Sequence, residues 1–308
     1  MIHVVGEILV DIFDDGTSKE VFPGGAPFNV ASNIAHFGGE VSFYGSVGHD
    51  DYGRFLTKYA RKTSISPLIL KKSSSRYTTQ AVVRLSNGER SFRFIRENGA
   101  DYSLRINNLE NLGIKKGDIF HIGSLMLSEP RGRSFFYKAV KYAKEKGALI
   151  SFDINYRDDI FANEQTAKRI FKRAIKVADI LKISSEELEV LFNKKRFKSC
   201  IKSIVHEGQT AFISLGSEGS CLYHQNVFYF ESTRKITPVD TTGAGDAFYS
   251  FALYQLSTNK DILSTDKSIH HMLKLANAVG AIATTKKGAI NVVPSLEELD
   301  SYIGENNL

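Results

Sequence analysis

Short β-rich apolar runs alternate with amphipathic helical stretches from one end of the chain to the other, and this alternation restricts the fold more than any other feature. IHVVGEILV (2–10), VSFYGSVG (41–48), DIFHIGS (118–124), ALISFDIN (148–155), ADILKIS (178–184) and TAFISLG (210–216) read as strands, most of them buried on both faces. Between them lie stretches such as PRGRSFFYKAVKYAKEKG (130–147), with Phe135, Ala139, Val140 and Ala143 on one stripe and Gly147 as its stop. Strand, helix and strand in repetition predict a mostly parallel, doubly wound sheet with helices on both faces. In such sheets ligands bind beyond the carboxyl ends of the strands.

Two segments depart from this rhythm. RYTTQAVVRLSNGERSFRFI (76–95) alternates with period two around Asn87-Gly88, a strong hairpin signal, and DIFDDGTSKEVF (11–22) lacks helical period. Together they predict a small β-sheet lid, residues 11–22 and 76–105, inserted in an α/β domain of residues 1–10, 23–75 and 106–308. A decorative hairpin is the competing reading. Apolar residues on the hairpin's outer face, with no core of their own, predict that two chains pair through their lids into a homodimer.

The 308 residues, 42% hydrophobic, suffice for one large domain with an appendage. The opening MIHVVGEILVD has no basic leader region, and no apolar run approaches the roughly 18 residues of a membrane span. Cys200 and Cys221 offer neither a disulfide framework nor metal-ligand spacing, so buried reduced thiols are expected. A soluble, unprocessed, cytoplasmic chain is the expectation, with no membrane partner. A net charge of +6 is too little to argue for nucleic acid.

The polar and glycine-rich clusters fall just after predicted strands. Asp11 closes the first run, as an acceptor for paired hydroxyls or as an ordinary surface acid. PGGAPFNVA (23–31) supplies Gly24 and Gly25 for close backbone approach and Asn29 as donor and acceptor. FDINYR (152–157) spaces Asp153, Asn155 and Arg157 at alternate positions, which point one way in an extended segment. SLGSEGS (214–220) places Gly216 and Gly219 where a phosphate chain can lie against backbone, or where a simple turn can form.

VDTTGAGDAF (239–248) leads from a glycine turn into a helical run. The first amides of a helix lack partners and face the positive end of its dipole, so Gly243, Ala244 and Gly245 open an anion site. Asp246 puts a carboxylate beside it. A phosphoryl group in flight explains the pair: backbone donors hold the oxygens while the carboxylate takes the proton of the attacking hydroxyl. No G-x-x-x-x-G-K-[ST] occurs, which excludes a Walker-type site.

These motifs resemble the ribokinase-like (PfkB) family of sugar kinases over essentially the whole chain. DTTGAGDAF is similar to its carboxy-terminal signature and PGGAPFNVA to its amino-terminal one. The resemblance implies a Rossmann-like α/β domain with a β lid, using ATP and Mg2+ to phosphorylate a primary hydroxyl. Asp246 would be the base, with the amides from Gly243 to Asp246 as the anion hole. Asp11, Gly24, Gly25, Asn29, Asp153, Asn155 and Arg157 would hold the sugar. Lys182, Ser184, Glu187, Ser214, Gly216, Gly219 and Asn277 would hold ATP, Glu187 reaching magnesium through water. Ser184 stands where the family has Asn in its N-x-x-E element, which puts one phosphate contact in doubt. AIATTKKGAINV (281–292) resembles a loop binding a monovalent cation, K+, which implies carbonyls near Asp240, Thr242, Ala283, Lys286 and Gly288.

PGGAPFNVA, FRFIRENGAD (92–101) and FDINYRDDIF (152–161) look most like the bacterial fructokinase branch, in which Phe94 and Arg96 of the lid face the substrate. The 2-keto-3-deoxygluconate kinases share much of the pattern, and Arg96 and Arg157 would suit their acid substrate; ribokinase fits the lid less well. A dinucleotide oxidoreductase would need G-x-G-x-x-G, which GEILVD does not supply. A sugar-sensing protein that had lost catalysis would keep the pocket without the base.

Overall fold

The computed structural model describes residues 1–14, 16–86, 89–192 and 197–304. A nine-stranded sheet forms the centre, ordered Val227–Glu231, Ser220–His224, Thr210–Ser214, Ile180–Ser184, Leu149–Asp153, Ile119–Ile122, Ile2–Val5, Val41–Gly48 and Leu68–Ser73. All pairings are parallel except at one edge, where Thr210–Ser214, Ser220–His224 and Val227–Glu231 run antiparallel. The chain winds outward from Ile2–Val5 on one side, then returns to lay Ile119–Ile122 on its other side. That reversal opens a crevice at the carboxyl ends of these two strands, the expected place for a ligand.

Alternate strand residues feed two cores. Val4, Phe43 and Phe212 pack with the helices Ala26–His36, Ala244–Thr258 and Asp266–Ala283, while Val5, Tyr44 and Ile213 pack with Pro130–Glu145 and Glu164–Ile175 on the other face. The predicted stripe Phe135, Ala139, Val140 and Ala143 is buried, and Gly147 follows its helix at φ 80°, where glycine carries no penalty. No helix among the described residues is long and apolar enough to cross a membrane. Cys200 and Cys221 are buried and are not joined in a disulfide.

The run IHVVGEILV is not one strand. Ile2–Val5 belongs to the central sheet, whereas Leu9–Asp14 starts a separate four-stranded sheet with Lys19–Gly24, Gln80–Ser86 and Glu89–Ile95. Pro27 lies so close to Gly6 that a Cβ there would sit 2.6 Å from the proline ring, and the chain turns at this point. The accessory sheet thus begins at Leu9 rather than 11, and its last strand ends at Ile95, the expected end of the hairpin. Gln80–Ser86 and Glu89–Ile95 pair antiparallel with Ser86 opposite Glu89; the predicted Asn87-Gly88 turn between them lies outside the described residues.

The premise behind lid pairing also changes. Val10, Ile12 and Val82 are not left without a core: they are buried and belong to one of the two main clusters. Tyr77 and Ile95 are the large apolar side chains left exposed near this sheet among the described residues, at 66% and 47%.

Candidate active site

Two cavities meet at the start of the helix Ala244–Thr258. The first, about 910 Å³, is lined by Glu7, Leu9, Asp11, Gly25, Asn29, Phe94, Asn155, Arg157, Lys182, Gly243, Gly245 and Asp246, among others. The second, about 520 Å³, takes Ser214, Gly216, Gly219, Pro238, Phe248, Asn277 and Gly280 into its wall. Thr241 and Gly245 line both. The glycine turn is therefore the partition between the two spaces.

Local chemistry forms that partition. Gly243 caps the helix at φ 76°, and a Cβ there would lie 2.6 Å from the Ala289 side chain, so only glycine lets the 288–289 backbone close over the turn. Asp240 ties the same loop down: Oδ1 accepts from the Thr242 amide and hydroxyl, and Oδ2 from the Gly288 amide at 3.0 Å. Ala244 N–H donates to the Thr241 carbonyl at a long 3.3 Å. The Gly245 and Asp246 amides, in the first helical turn, have no intrahelical acceptor.

Asp246 is 9% exposed, and its Oδ2 accepts from Asn29 Nδ2 at 2.8 Å. Burial pushes its carboxyl up to about 6; Lys182 opposes the rise and Asp153 reinforces it. Asp11 stands at about 7, again through desolvation, with Asp246 adding to it. Lys182 reaches up from the strand Ile180–Ser184, its Nζ 2.7 Å from Asp153 Oδ2 and close against Gly245. Burial pulls this ammonium's pKa down, but Asp153, Glu187 and Asp246 together hold it above the ordinary lysine range. The site thus holds a carboxylate able to change protonation near neutrality beside a fixed positive charge and free helix amides.

Register explains the first cavity's far wall. Asp11 pairs with Ala81, and Ala81 with Phe94, so one row across the accessory sheet presents these three to the cavity. Gly24 does not line the cavity but makes room for it, because a Cβ there would collide with the Asp11 carboxylate.

Several expected contacts are arranged otherwise. Arg96 does not face the cavity: its guanidinium is buried, bonded to Asp101 Oδ2 through Nε at 2.9 Å and Nη2 at 2.6 Å, with Nη1 on Ser128. A buried guanidinium needs a carboxylate, and Asp101, five residues on, supplies it. Asp153, Asn155 and Arg157 do not point one way, because Asn155 turns to φ 38° and ends the alternation. Asp153 consequently goes to Lys182 while Asn155 and Arg157 line the cavity.

Ser184 and Glu187 face each other rather than either cavity. The Glu187 amide donates to Ser184 Oγ at 3.1 Å and the Ser184 amide to Glu187 Oε2 at 2.8 Å, a capping box that opens the helix Ser185–Phe192. Glu187 Oε1 accepts from the Tyr156 amide at 2.7 Å. Asn277 lines the second cavity with its amide nitrogen engaged by the carbonyls of Glu231 and Ser232. Of the proposed cation loop, Ala283 O accepts from Lys286 N at 3.4 Å.

Sequence reasoning passed over Glu7 and Arg234. Glu7, Leu9 and Asp11 alternate along GEILVD, a signal that Asp11 alone made available. Arg234 lines the second cavity from a segment with no motif of its own.

The chain matches the pfkB family of carbohydrate kinases over residues 2–296. It is 33% identical over 307 residues to a fructokinase of Vibrio alginolyticus, covering 99% of each. Among solved structures it superposes on the fructokinase from Vibrio cholerae O395, in its form with fructose, ADP and calcium ion, with a TM-score of 0.88 at 33% identity and 98% coverage of both chains. The Xylella fastidiosa fructokinase with bound ATP gives 0.91 at 28% identity, covering 100% of this chain and 99% of that one. Signature turn, doubly wound sheet, accessory strands and whole-length similarity agree: the chain belongs to the pfkB family of carbohydrate kinases.

Proposed function

We propose that this ATP-dependent sugar kinase acts on a ketohexose, D-fructose, and makes fructose 6-phosphate. The observation that carries the reading is the glycine turn Thr241–Gly245 standing as the shared wall of a polar cavity and a more apolar one. A sugar in the first and ATP in the second would meet across the start of a helix. Asn29 fixes Asp246 Oδ2, which leaves Oδ1 to accept the proton of the primary hydroxyl. The freed oxygen then attacks the γ-phosphorus as the bond to ADP breaks, and the amides of Gly245 and Asp246 with the Lys182 ammonium receive the phosphoryl charge.

Fructose is favoured over 2-keto-3-deoxygluconate by the charges on the wall. Asp11 and Asp246 face the cavity, and of the two arginines that would suit an acid, Arg96 is already neutralised by Asp101. A coupled assay across fructose, ribose, 2-keto-3-deoxygluconate and nucleosides should give the highest kcat/KM for fructose. A higher value for the keto acid moves the assignment to that substrate.

Mg2+ would come bound to the ATP phosphates with several of its waters, to be met by side chains through those waters. Asp153 Oδ1, buried without a partner among the described residues, would accept from those waters, and Glu187, engaged by the Ser184 and Tyr156 amides, would act on them through its charge beside Lys182. The metal supplies neutralisation of the phosphate charge. A monovalent cation, K+, is assigned to the loop that joins Asp240 and Thr242 to Ala283, Lys286 and Gly288. The cytoplasm suits an ATP-consuming enzyme with two buried, reduced cysteines.

The accessory sheet is assigned as a lid, and two chains as pairing through it at the exposed Tyr77 and Ile95. Light scattering at micromolar concentration should return the mass of a dimer; a monomer removes the pairing.

A further inference from the structure

The first cavity contains an acid for which the transfer has no use. Glu7 sits in the link between Ile2–Val5 and Leu9–Asp14, is 2% exposed, and lines the cavity beside Leu9 and Asp11. Among the described residues neither Oε1 nor Oε2 has a hydrogen-bond partner at bonding distance, although the residue's own amide acts on the carboxyl. Its surroundings are shaped to hold it. A Cβ on Gly123 would lie 2.5 Å from Oε2, and one on Gly25 would lie 2.7 Å from the Glu7 carbonyl. Buried polar atoms are nearly always paired in folded proteins, so two orphaned oxygens on a cavity wall point to a partner that comes from outside the chain.

We propose that Glu7 is a sugar-binding residue whose carboxyl group hydrogen-bonds a hydroxyl of the bound ketohexose and sets the preference for that hydroxyl. The assignment rests on the sugar-kinase reading of this cavity. Burial pushes the Glu7 carboxyl up to about 8; its own backbone amide and Arg96 oppose the rise, and Asp101 and Asp246 reinforce it. At neutral pH the group is therefore the uncharged acid, an O–H donor and a carbonyl acceptor in one side chain. A sugar hydroxyl also donates and accepts, so it satisfies both. A deoxy sugar leaves them unpaired again, which is the kind of mismatch that discriminates substrates strongly.

The test is calorimetric binding of fructose and of ATP to the full chain, with Glu7→Leu and Glu7→Gln. Glu7→Leu keeps the volume and removes the polar atoms. Its melting temperature should be no lower than that of the wild type, its fructose affinity roughly ten- to a hundredfold weaker, and its ATP affinity unchanged. Glu7→Gln keeps a donor and an acceptor and should recover most of the loss. A folded Glu7→Leu protein that binds fructose within about twofold of wild type overturns the proposal. If Glu7→Leu does not fold, monodeoxy fructoses decide with Glu7→Met in its place. Wild type must lose affinity at one hydroxyl whose removal costs Glu7→Met nothing, and identical profiles at every position overturn the assignment. A wild type that takes no sugar at all overturns the kinase reading of the cavity and this assignment with it.

Discussion

Asp246→Asn should lower kcat by about 10²–10⁴-fold while the dissociation constants for sugar and ATP change little. Asparagine keeps the size and one acceptor oxygen, so it still accepts from Asn29, and the anion site is backbone and unaffected. What disappears is the proton acceptor, worth about 3–5 kcal/mol of transition-state stabilisation at roughly 1.36 kcal/mol per tenfold. The pH profile supplies a second readout. Asp246 works as the carboxylate, and with its carboxyl at about 6 the wild-type kcat should fall as pH drops through that value. Asp11, at about 7 and repelled by Asp246, broadens the limb in kcat/KM. Steady-state kinetics with calorimetry on one preparation decides. An Asn variant turning over at near the wild-type rate would make Asp246 a helix residue and nothing more.

Lys182→Met should damage both stability and turnover, for separable reasons. The ammonium is buried 2.7 Å from Asp153, whose side chain is 5% exposed. Removing one partner of a buried pair strands the other charge, which costs about 3–5 kcal/mol. Urea denaturation should register a loss of that size. Asp246 also loses the cation that opposes its rise, so the acid limb of the residual activity should move to higher pH. Adding Asp153→Leu replaces the pair with apolar groups, and most of the stability should return. Turnover should stay low, because the positive charge beside Gly245 and the Asp153 acceptor for the metal's waters are both missing. A double variant that regained activity with stability would reduce Lys182 to a structural ion.

Much of this was legible in the chain. The period of the apolar runs gave the two-faced sheet, because a strand buried on both sides and a helix buried on one need different spacings. VDTTGAGDAF carried the turn and the acid together, since a left-handed cap at Gly243 and free amides at the helix start are consequences of local sequence. Asp11, Gly25, Asn29 and Asp246 line one cavity.

Where the site differs from expectation, the difference is one of partnership. Arg96 reads equally well as a substrate ligand or as the mate of Asp101 until the fold brings Asp101 to it. Asp153 alternates correctly with Asn155 and Arg157 on paper, yet Asn155 at φ 38° and Lys182 on the neighbouring strand turn it away. Ser184 and Glu187 close on each other as a cap, a pairing visible as S-x-x-E in the sequence but outweighed there by the family pattern. Apart from the turn at Gly6 that splits the first run, sequence by itself determined which of these segments are strands and helices, which faces are apolar, and where an anion turn must lie, because each depends on residues within a few positions of one another. The tertiary structure alone decided which charges neutralise each other and which face the cavity. Asn29 meets Asp246 across 217 residues, and contacts of that span depend on how the whole sheet is wound.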